Sequence, residues 1–337
     1  MYKVVKMKLS GFTGTPEGHL GGYHVQALES AFCEYFNVKH SISLNSATSG
    51  LHAALIASQV GIGDDVVVSS YSFSSSASCA LMIGATPVFV DIDKDTFCID
   101  PHSGTAQAYI LVHLFGHPAK VHIGDIEDCA QAIGATINGR KVGTIGECGV
   151  FSFNQSKHIN TGEGGMLITN DDDFARVVRA VRNHGEVADP ELGIVGYNYR
   201  MLESVAESAL AQFRYLDNDN EFRQTRANYM TARLSEIEEI TPPVTLPNCT
   251  HVYYMYAMKF KGNRNLFLRE MQGRGWLIYP YVEPLYKLPI YGEQPELPVV
   301  EKVSKEVMVI NWVKPIEQID KFVEDAKQCL KNLKSIS

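Results

Sequence analysis

Residues 151–171 read FSFNQSKHINTGEGGMLITND. A single lysine, Lys157, stands between two phenylalanines and the glycine-rich turn at 162–165. Glycines allow the backbone to approach a ligand closely. A lysine held in such a pocket can lose its proton and attack a carbonyl carbon to form a Schiff base. Because a lone lysine in a loop is more often a solvated surface charge, this interpretation depends on what the rest of the chain supplies.

The composition excludes several classes of protein. The 337 residues suggest about two domains. Thirty basic and 38 acidic residues give a net charge of −8, so we expect no nucleic-acid partner and no binding to an anionic membrane. No apolar run approaches the ~20 residues that span a bilayer, and the N-terminus lacks the apolar core of a secretory signal. Seven scattered cysteines without a CxxC pair favour free thiols in the cytoplasm.

Strand-like and helix-like segments alternate through the first part of the chain, which predicts an α/β fold with a mostly parallel central sheet. The later segments predict a smaller C-terminal α+β domain. We expect a large domain over residues 1–215, followed by a connector helix and the small domain over 216–337. Strands are predicted at 41–44, 66–70, 87–91, 109–114, 123–128 and 149–153, and helices at 24–37, 51–60, 74–84 and 171–185.

Asp128 ends a predicted strand in IEDCAQAIGA. Open α/β sheets bind ligands at the carboxyl ends of their strands. An aspartate there could ligate a metal, cap a helix or pair with a pyridinium nitrogen. No His, Cys, Asp or Glu cluster with metal-ligand spacing surrounds it in the sequence, which disfavours the metal. Taken by itself, the residue fits a helix cap best.

Three hydroxyl residues and one aromatic residue extend this pattern. Thr48 and Ser49 open a helix directly after a strand, where backbone amides form an anion site, although a simple N-cap explains them equally well. Ser152 adds a hydroxyl near the lysine. Phe73 lies among serines and could stack on a planar ring or close the sheet edge. Together with the lysine and the aspartate, these residues fit pyridoxal 5′-phosphate (PLP), which has an aldehyde, a basic ring nitrogen and a phosphate.

The order of these segments resembles the DegT/DnrJ/EryC1/StrS family of sugar aminotransferases, which have the PLP-dependent aspartate-aminotransferase fold, fold type I. The resemblance covers roughly residues 24–215 and the C-terminal part more loosely. An ordered set of motifs is more specific than any one of them. The matching stretches are NSATSGLHAAL, GATPVFVDID, VHLFG, IEDCAQAIGA, FSFNQSKHINTGEGGMLITND, RNHG and GYNYRM.

The resemblance implies roles for the residues around the cofactor ring. By position, Lys157 is the residue that binds PLP covalently and moves the proton during the reaction. Asp128 is implied to pair with the pyridine nitrogen and Gln131 to contact the ring hydroxyl. Phe73 falls where the family stacks an aromatic side chain on the ring.

The resemblance also implies how the phosphate is bound. Thr48, Ser49 and Ser152 fall at the family's phosphate contacts. Asn198, in GYNYRM, resembles a residue that reaches the phosphate of the neighbouring subunit's cofactor. The expected assembly is therefore a homodimer with shared active sites.

The implied chemistry is ping-pong transamination. An amino acid, with L-glutamate the expected donor, converts PLP to pyridoxamine phosphate (PMP), and a keto sugar attached to a nucleotide then accepts the amino group. An aminocyclitol acceptor is an alternative. Relatives with histidine at the lysine position are dehydratases, and Lys157, followed by His158, favours transamination instead. A non-catalytic binding or regulatory homologue is disfavoured because Asp128 and Gln131 are also present.

Two segments depart from the family pattern. Only FGHPAKVH separates the strands around 109–114 and 123–128, where relatives usually have a helix, so we expect a short extended crossover that leaves the sheet thinly covered. YPYVEPLY at 279–286 has Pro280 and Tyr286 where relatives often have histidine. The tyrosines of this stretch could stack on a base or a sugar, or simply pack.

Overall fold

The structure is a computed structural model that describes residue 12 and residues 17–99, 105–185, 193–310 and 315–336. The strands are β1 His40–Leu44, β2 Asp65–Ser69, β3 Thr86–Val90, β4 Ala108–Val112, β5 Ile126–Asp128, β6 Thr136–Ile137, β7 Arg140–Lys141, β8 Cys148–Ser152, β9 Gly165–Thr169, β10 Ile240–Thr241, β11 Cys249–Thr250, β12 Tyr256–Phe260, β13 Ile278–Pro280 and β14 Val307–Ile310. The α-helices are α1 Tyr23–Phe36, α2 Ala47–Ala57, α3 Ser75–Met82, α4 Asp172–Arg182, α5 Glu203–Phe213, α6 Leu216–Leu234, α7 Arg264–Gly273, α8 Pro298–Glu306 and α9 Ile316–Ile336.

The centre of the fold is a seven-stranded sheet in the order β1-β9-β8-β5-β4-β2-β3. Only β9 runs antiparallel to its neighbours β1 and β8, and the other four strand pairs are parallel. The run Val66–Val68 in β2 is buried, as expected for a β-branched segment with layers on both sides. The predicted α/β fold with a mostly parallel sheet is confirmed.

Helix α2 lies close against the sheet. The Ser46 side chain caps it by accepting the Ser49 N–H at 3.1 Å. A Cβ atom on Gly50 would lie 2.7 Å from Val150 Cγ1 in β8, so only glycine permits this contact. The close packing brings the positive N-terminal end of α2 to the edge of the sheet where β8 ends.

The C-terminal part forms a second sheet, antiparallel, in the order β10-β12-β14-β13. Helices α7 and α9 pack beside this sheet around a separate apolar cluster that includes Met258, Phe267 and Phe322. Helix α5 ends at Phe213 and α6 begins at Leu216. The division at residue 215 stays a prediction. No helix among the described residues combines the length and apolar character needed to cross a membrane.

The predicted crossover has no α-helix. After β4 the chain makes a single three-residue 3-10 turn, Leu114–Gly116, before it reaches β5. The strand predicted from residue 123 begins at Ile126, because the Asp125 carboxylate accepts the His122 N–H at 2.6 Å and closes a turn. Leu111 in β4 is fully buried, whereas Tyr109 is half-buried. The crossover therefore leaves this part of the sheet only partly exposed to solvent.

Gly116 fits between two other loops. Its φ is +97° and that of Phe115 is +58°, so both residues are in the left-handed region. A Cβ on Gly116 would lie 2.9 Å from the backbone nitrogens of Tyr253 and Tyr254, and 3.1 Å from the carbonyl oxygen of Gln131. The Gly116 carbonyl accepts the N–H of Val252 at 3.0 Å. One turn therefore sets the positions of the loops that carry Gln131 and Tyr254.

We predict that Gly116→Ala lowers the free energy of unfolding by about 3 kcal/mol or more, because it adds a backbone clash to the cost of positive φ. Gly139→Ala is the matched control: its φ is +77° and nothing lies within 4 Å of the added methyl group, so we expect a loss of about 1 kcal/mol. Urea unfolding of both variants measures the difference. Equal losses in the two variants would show that the close backbone contacts at Gly116 add nothing to the cost of the methyl group.

Candidate active site

The carboxyl edge of the central sheet collects most of the predicted site residues. Asp128 ends β5 and Ser152 ends β8, which are parallel neighbours. Ser152 is opposite Gly165 at the start of β9. A Cβ on Gly165 would lie 2.5 Å from the carbonyl carbon of Ser46, the N-cap of α2. Strand ends and a helix N-terminus therefore meet along this edge.

Asp128 is a buried carboxylate, 4% exposed. Its Oδ2 accepts the Ser76 hydroxyl at 2.8 Å, and its Oδ1 accepts the Ala130 N–H at 3.1 Å. Burial raises the pKa of Asp128, and these two hydrogen bonds and the charge of Lys157 only partly oppose that effect. The site thus has an acid that a neighbouring positive charge would stabilise in its ionised form.

Lys157 follows β8 in a tight turn, where its N–H donates to the Asn154 carbonyl at 2.9 Å. Its Nζ lies 4.3 Å from the centroid of the Tyr254 ring. The Tyr254 hydroxyl is 2.9 Å from the Ser156 hydroxyl. The lysine is half-buried and close enough to act on the Asp128 carboxylate through its charge.

Gln131 has its amide orientation fixed by the backbone. Its Oε1 accepts the Phe115 N–H at 2.8 Å, so its amino group faces the other way. One amino proton is donated to the Tyr281 hydroxyl at 3.2 Å. The second amino proton could be donated to a ring hydroxyl. Burial raises the pKa of Tyr281, which also senses the charge of Asp128.

The helix N-terminus already has a network of its own. The Ser49 hydroxyl donates to Asn45 Oδ1 and is 2.6 Å from the Ser46 hydroxyl. Thr48 is half-buried in the first turn of α2. The Ser152 hydroxyl accepts the Asn154 N–H at 3.3 Å. The structure brings these hydroxyls to one edge, and their contact with a phosphate stays a prediction.

Phe73 and Asn198 lie at the surface of the single chain. Phe73 is 61% exposed, and its carbonyl accepts the Ser76 N–H where α3 begins. The ring is therefore available to a ligand and is not a core residue. Asn198 is exposed, and its carbonyl accepts the Asn45 side chain at 3.2 Å. Its expected reach toward a neighbouring subunit stays a prediction.

The tyrosines of 279–286 have different surroundings. Tyr281 is packed edge-on against Tyr71 and Phe115, with ring centroids 5.2 and 4.6 Å away. Tyr286 is buried, and its hydroxyl donates to Glu301. Tyr281 thus belongs to the wall of the site, whereas Tyr286 is a packing residue.

A buried pair beside the site, His113 and Glu127, was not predicted from the sequence. Glu127 accepts three backbone N–H groups, from Gly143, Ile145 and Gly146, at 2.7–2.8 Å. It also contacts His113 Nε2 at 3.0 Å. Burial opposes ionisation, but these donors outweigh it and keep the pKa of Glu127 below its usual value. The acid next to Asp128 in IEDCAQ was the available signal, since neighbouring strand residues point to opposite faces.

The same pair belongs to the one group of possible metal ligands found in the described residues: His113, Glu127 and Cys129, with donor atoms within 4.8 Å of one another. Both imidazole nitrogens of His113 are already occupied, because Nδ1 accepts the Ala119 N–H at 2.8 Å. Glu127 has donors on both oxygens. These contacts fit a hydrogen-bonded support better than a metal centre.

Three histidines hold the loop that precedes Tyr254, and of these His117 and His251 are buried and His158 is half-buried. His117 Nε2 accepts the Leu246 N–H at 3.2 Å, and His158 Nε2 donates to the Val252 carbonyl at 3.2 Å. His251 Nδ1 accepts the N–H of Tyr253 at 2.9 Å. Burial lowers the pKa of His117 to about 4 and that of His158 to about 3. These histidines support the site in their neutral forms.

Comparison with known proteins identifies the family of this chain. The model of the DegT/DnrJ/EryC1/StrS aminotransferase family matches residues 15–321. The chain belongs to this family. As a member it is a PLP-dependent aminotransferase.

Three similar proteins carry different names. The chain is 35% identical to GDP-perosamine synthase of Caulobacter vibrioides, with 80% of this chain and 79% of the relative covered. It is 33% identical to UDP-N-acetyl-3-dehydro-alpha-D-glucosamine 3-aminotransferase of Acidithiobacillus ferrooxidans, with 85% and 83% covered. It is 35% identical to a pleiotropic regulatory protein of Geobacillus stearothermophilus, again with 85% and 83% covered.

A solved structure confirms the fold type. The structure of DesV from S. venezuelae, in complex with a ketimine intermediate, superposes with a TM-score of 0.84 at 28% identity. The superposition covers 91% of this chain and 89% of DesV. The expected aspartate-aminotransferase architecture is therefore confirmed over most of this chain.

The residues of this chain fit PLP. The buried acid Asp128 needs a positive partner, and a protonated ring nitrogen supplies one. Gln131 presents a spare amide proton, Phe73 presents an exposed ring, and Lys157 is close to the acid. The N-terminus of α2 offers backbone N–H groups for a phosphate. Each chemical part of PLP has a matching group along one edge of the sheet.

We predict that Asp128→Asn stabilises the cofactor-free aminotransferase while it impairs cofactor function. The folded-state pKa of Asp128 is raised, so its ionised form destabilises the fold above that pKa, and the penalty disappears as the pH falls. At pH 7 we expect a melting temperature about 2 °C or more above wild type. Melting curves from pH 7 to pH 4 should show the difference shrinking. A variant less stable than wild type at pH 7 would contradict the prediction.

We also predict acid sensitivity from the three histidines that hold this loop. Their folded-state pKa values are lowered, so their contribution to stability is complete above the unfolded value of about 6.5 and is lost as the pH falls. For His117 the loss between pH 6.5 and pH 4 should reach roughly 2–3 kcal/mol. Urea unfolding across this range measures the slope. His117→Gln should flatten the slope, and an unchanged slope in this variant would contradict the prediction.

Proposed function

We propose that this aminotransferase moves an amino group from an amino acid, with L-glutamate the expected donor, to a keto sugar linked to a nucleotide. The observation that carries the proposal is the convergence of Lys157, Asp128 and Gln131 at one edge of the sheet. Two relatives are named for nucleotide-linked amino sugars, one with GDP and one with UDP. The names support the substrate class and leave the nucleotide open.

In this proposal PLP is bound covalently through Lys157, and when bound it supplies an electron sink that stabilises negative charge on the substrate carbon. Asp128 holds a proton on the ring nitrogen, since a buried carboxylate strongly favours a cationic partner. Gln131 holds the ring hydroxyl through its spare amide proton. These two residues fix the orientation of the ring relative to the lysine.

Lys157 is proposed to transfer the proton between the substrate carbon and the cofactor carbon. Its side chain is half-buried beside the Tyr254 ring, which limits its contact with bulk water. Phe73 is proposed to cover one face of the ring, and Thr48, Ser49 and Ser152 are proposed to bind the phosphate. The hydroxyls lie at the helix N-terminus, where the backbone dipole favours an anion.

A homodimer in the cytoplasm is part of the proposal. The exposed Asn198 is available to a neighbouring subunit, as the family resemblance implies. All seven cysteines are free, which suits a reducing compartment. Sedimentation analysis of the full chain tests the assembly.

A regulatory, non-catalytic role is the alternative from another class, and the name of the Geobacillus stearothermophilus relative favours it. The retained lysine, acid and amide favour catalysis. Lysine at position 157 likewise argues against a dehydratase, while an aminocyclitol acceptor remains an alternative that substrate trials distinguish.

We predict that the purified protein with PLP shows a lysine-linked absorption band that L-glutamate converts to that of PMP. A nucleotide-linked keto sugar should restore the first band. Lys157→Ala should abolish the linked band and lower turnover by about 10²-fold or more. Lys302→Ala, at an exposed lysine remote from the site, is the control and should behave as wild type.

The outcomes separate the alternatives. Conversion by the donor without restoration by any nucleotide sugar, but with restoration by a keto cyclitol, would support the aminocyclitol alternative. Cofactor binding without conversion by any amino donor would support the regulatory role. A protein that binds no PLP would contradict the proposed function.

A further inference from the structure

Tyr254 contacts the lysine on which the proposed function rests. The Lys157 Nζ atom lies over its ring face, 4.3 Å from the centroid. Tyr254 is 5% exposed, so the contact is largely shielded from water. The tyrosine comes from the loop before β12, nearly a hundred residues after the lysine, and its hydroxyl is 2.9 Å from the Ser156 hydroxyl.

The ring is held independently of the lysine. The N–H of Met255, the next residue, donates to the Phe115 carbonyl at 3.4 Å. The backbone nitrogen of Tyr254 lies against Gly116, where a Cβ would approach it to 2.9 Å. His158 holds the Val252 carbonyl from the other side. The ring therefore has a fixed place toward which the flexible lysine side chain turns.

The contact has a defined physical effect. The face of an aromatic ring carries a negative electrostatic potential, and a cation within about 6 Å of the centroid is stabilised by it, more so when water is excluded. A lysine side chain has four rotatable bonds, so a fixed partner at its end also restricts its conformations. Both effects act on the same nitrogen atom.

We propose that Tyr254 is a positioning residue for Lys157. Its ring face holds the Nζ atom at the edge of the sheet and favours its protonated form. The inference deepens the proposed function, because it concerns the residue taken as the cofactor-binding lysine.

The test measures the reactivity of Lys157 in the full chain without PLP. Acetic anhydride at limiting concentration labels neutral amines, and peptide mass spectrometry compares Lys157 with the exposed Lys331 from pH 6 to pH 11. Tyr254→Leu should raise the relative labelling of Lys157 about five- to tenfold at neutral pH. The midpoint of its pH profile should move down by about one unit.

The midpoint of the labelling profile distinguishes a change in the charge of Lys157 from a change in its accessibility to the reagent. Easier access alone raises the labelling rate equally at every pH and leaves the midpoint where it was. Tyr254→Phe keeps the ring face and should match wild type in the midpoint. Tyr291→Leu removes a buried ring that packs on Phe89 and should have no effect on Lys157.

A second readout uses the chain loaded with PLP. The pH at which its lysine-linked absorption band changes should also fall in Tyr254→Leu and stay unchanged in Tyr254→Phe. Tyr254→Met replaces the leucine variant if that one does not fold, as judged by circular dichroism. Unchanged midpoints in the folded ring-less variant overturn the inference. If wild type binds no PLP, the proposed function fails, whereas the labelling profile still decides the role of Tyr254.

Discussion

The contact of Gly116 with two other loops is the constraint on which the site depends. Its backbone leaves no room for a side chain between the loop of Gln131 and the loop of Tyr254. The neighbouring Phe115 directs its N–H to Gln131 and its carbonyl to the residue after Tyr254. One turn after β4 thus aligns the group proposed to meet the ring hydroxyl with the group proposed to hold the lysine. A bulky residue at positive φ, as in Phe115, persists only where its surroundings enforce it.

The parts of the fold that were predictable are those with local signals. Alternating strands and helices predicted the sheet, and the polar residues before Leu51 predicted a helix start there, although α2 begins at Ala47 with Ser46 as its cap. The apolar strand β9 was missed, because it directly follows the glycine-rich turn and its antiparallel direction depends on β1 and β8. The strand predicted from residue 123 begins three residues later, at Ile126, because a side-chain contact of Asp125 closes a turn.

In the site, motif order predicted the residues that would face the cofactor, but it did not predict the residues that hold them in place. Tyr254 meets Lys157 only in three dimensions, and nothing in HVYYMY marks it as a partner. For Glu127 the sequence offers only its place beside Asp128, because its donors are backbone N–H groups of the loop at 143–146. Asp128 shows what burial of an acid costs. Burial raises its pKa and destabilises its ionised form in the chain without cofactor, and it thereby favours a cationic partner.

The helix-less crossover between β4 and β5 also bears on how the chain folds. Of the parallel strand pairs in the sheet, this one joins residues separated by the shortest stretch of sequence, with Ile110 opposite Ile126. Loop-closure entropy rises with the length of the closed segment, so this pairing has the smallest closure cost of the four. The edge strand β1, with His40 opposite Thr169 in β9, closes a much longer segment and has a larger closure cost. We therefore expect order to spread outward from the strand that ends in Asp128.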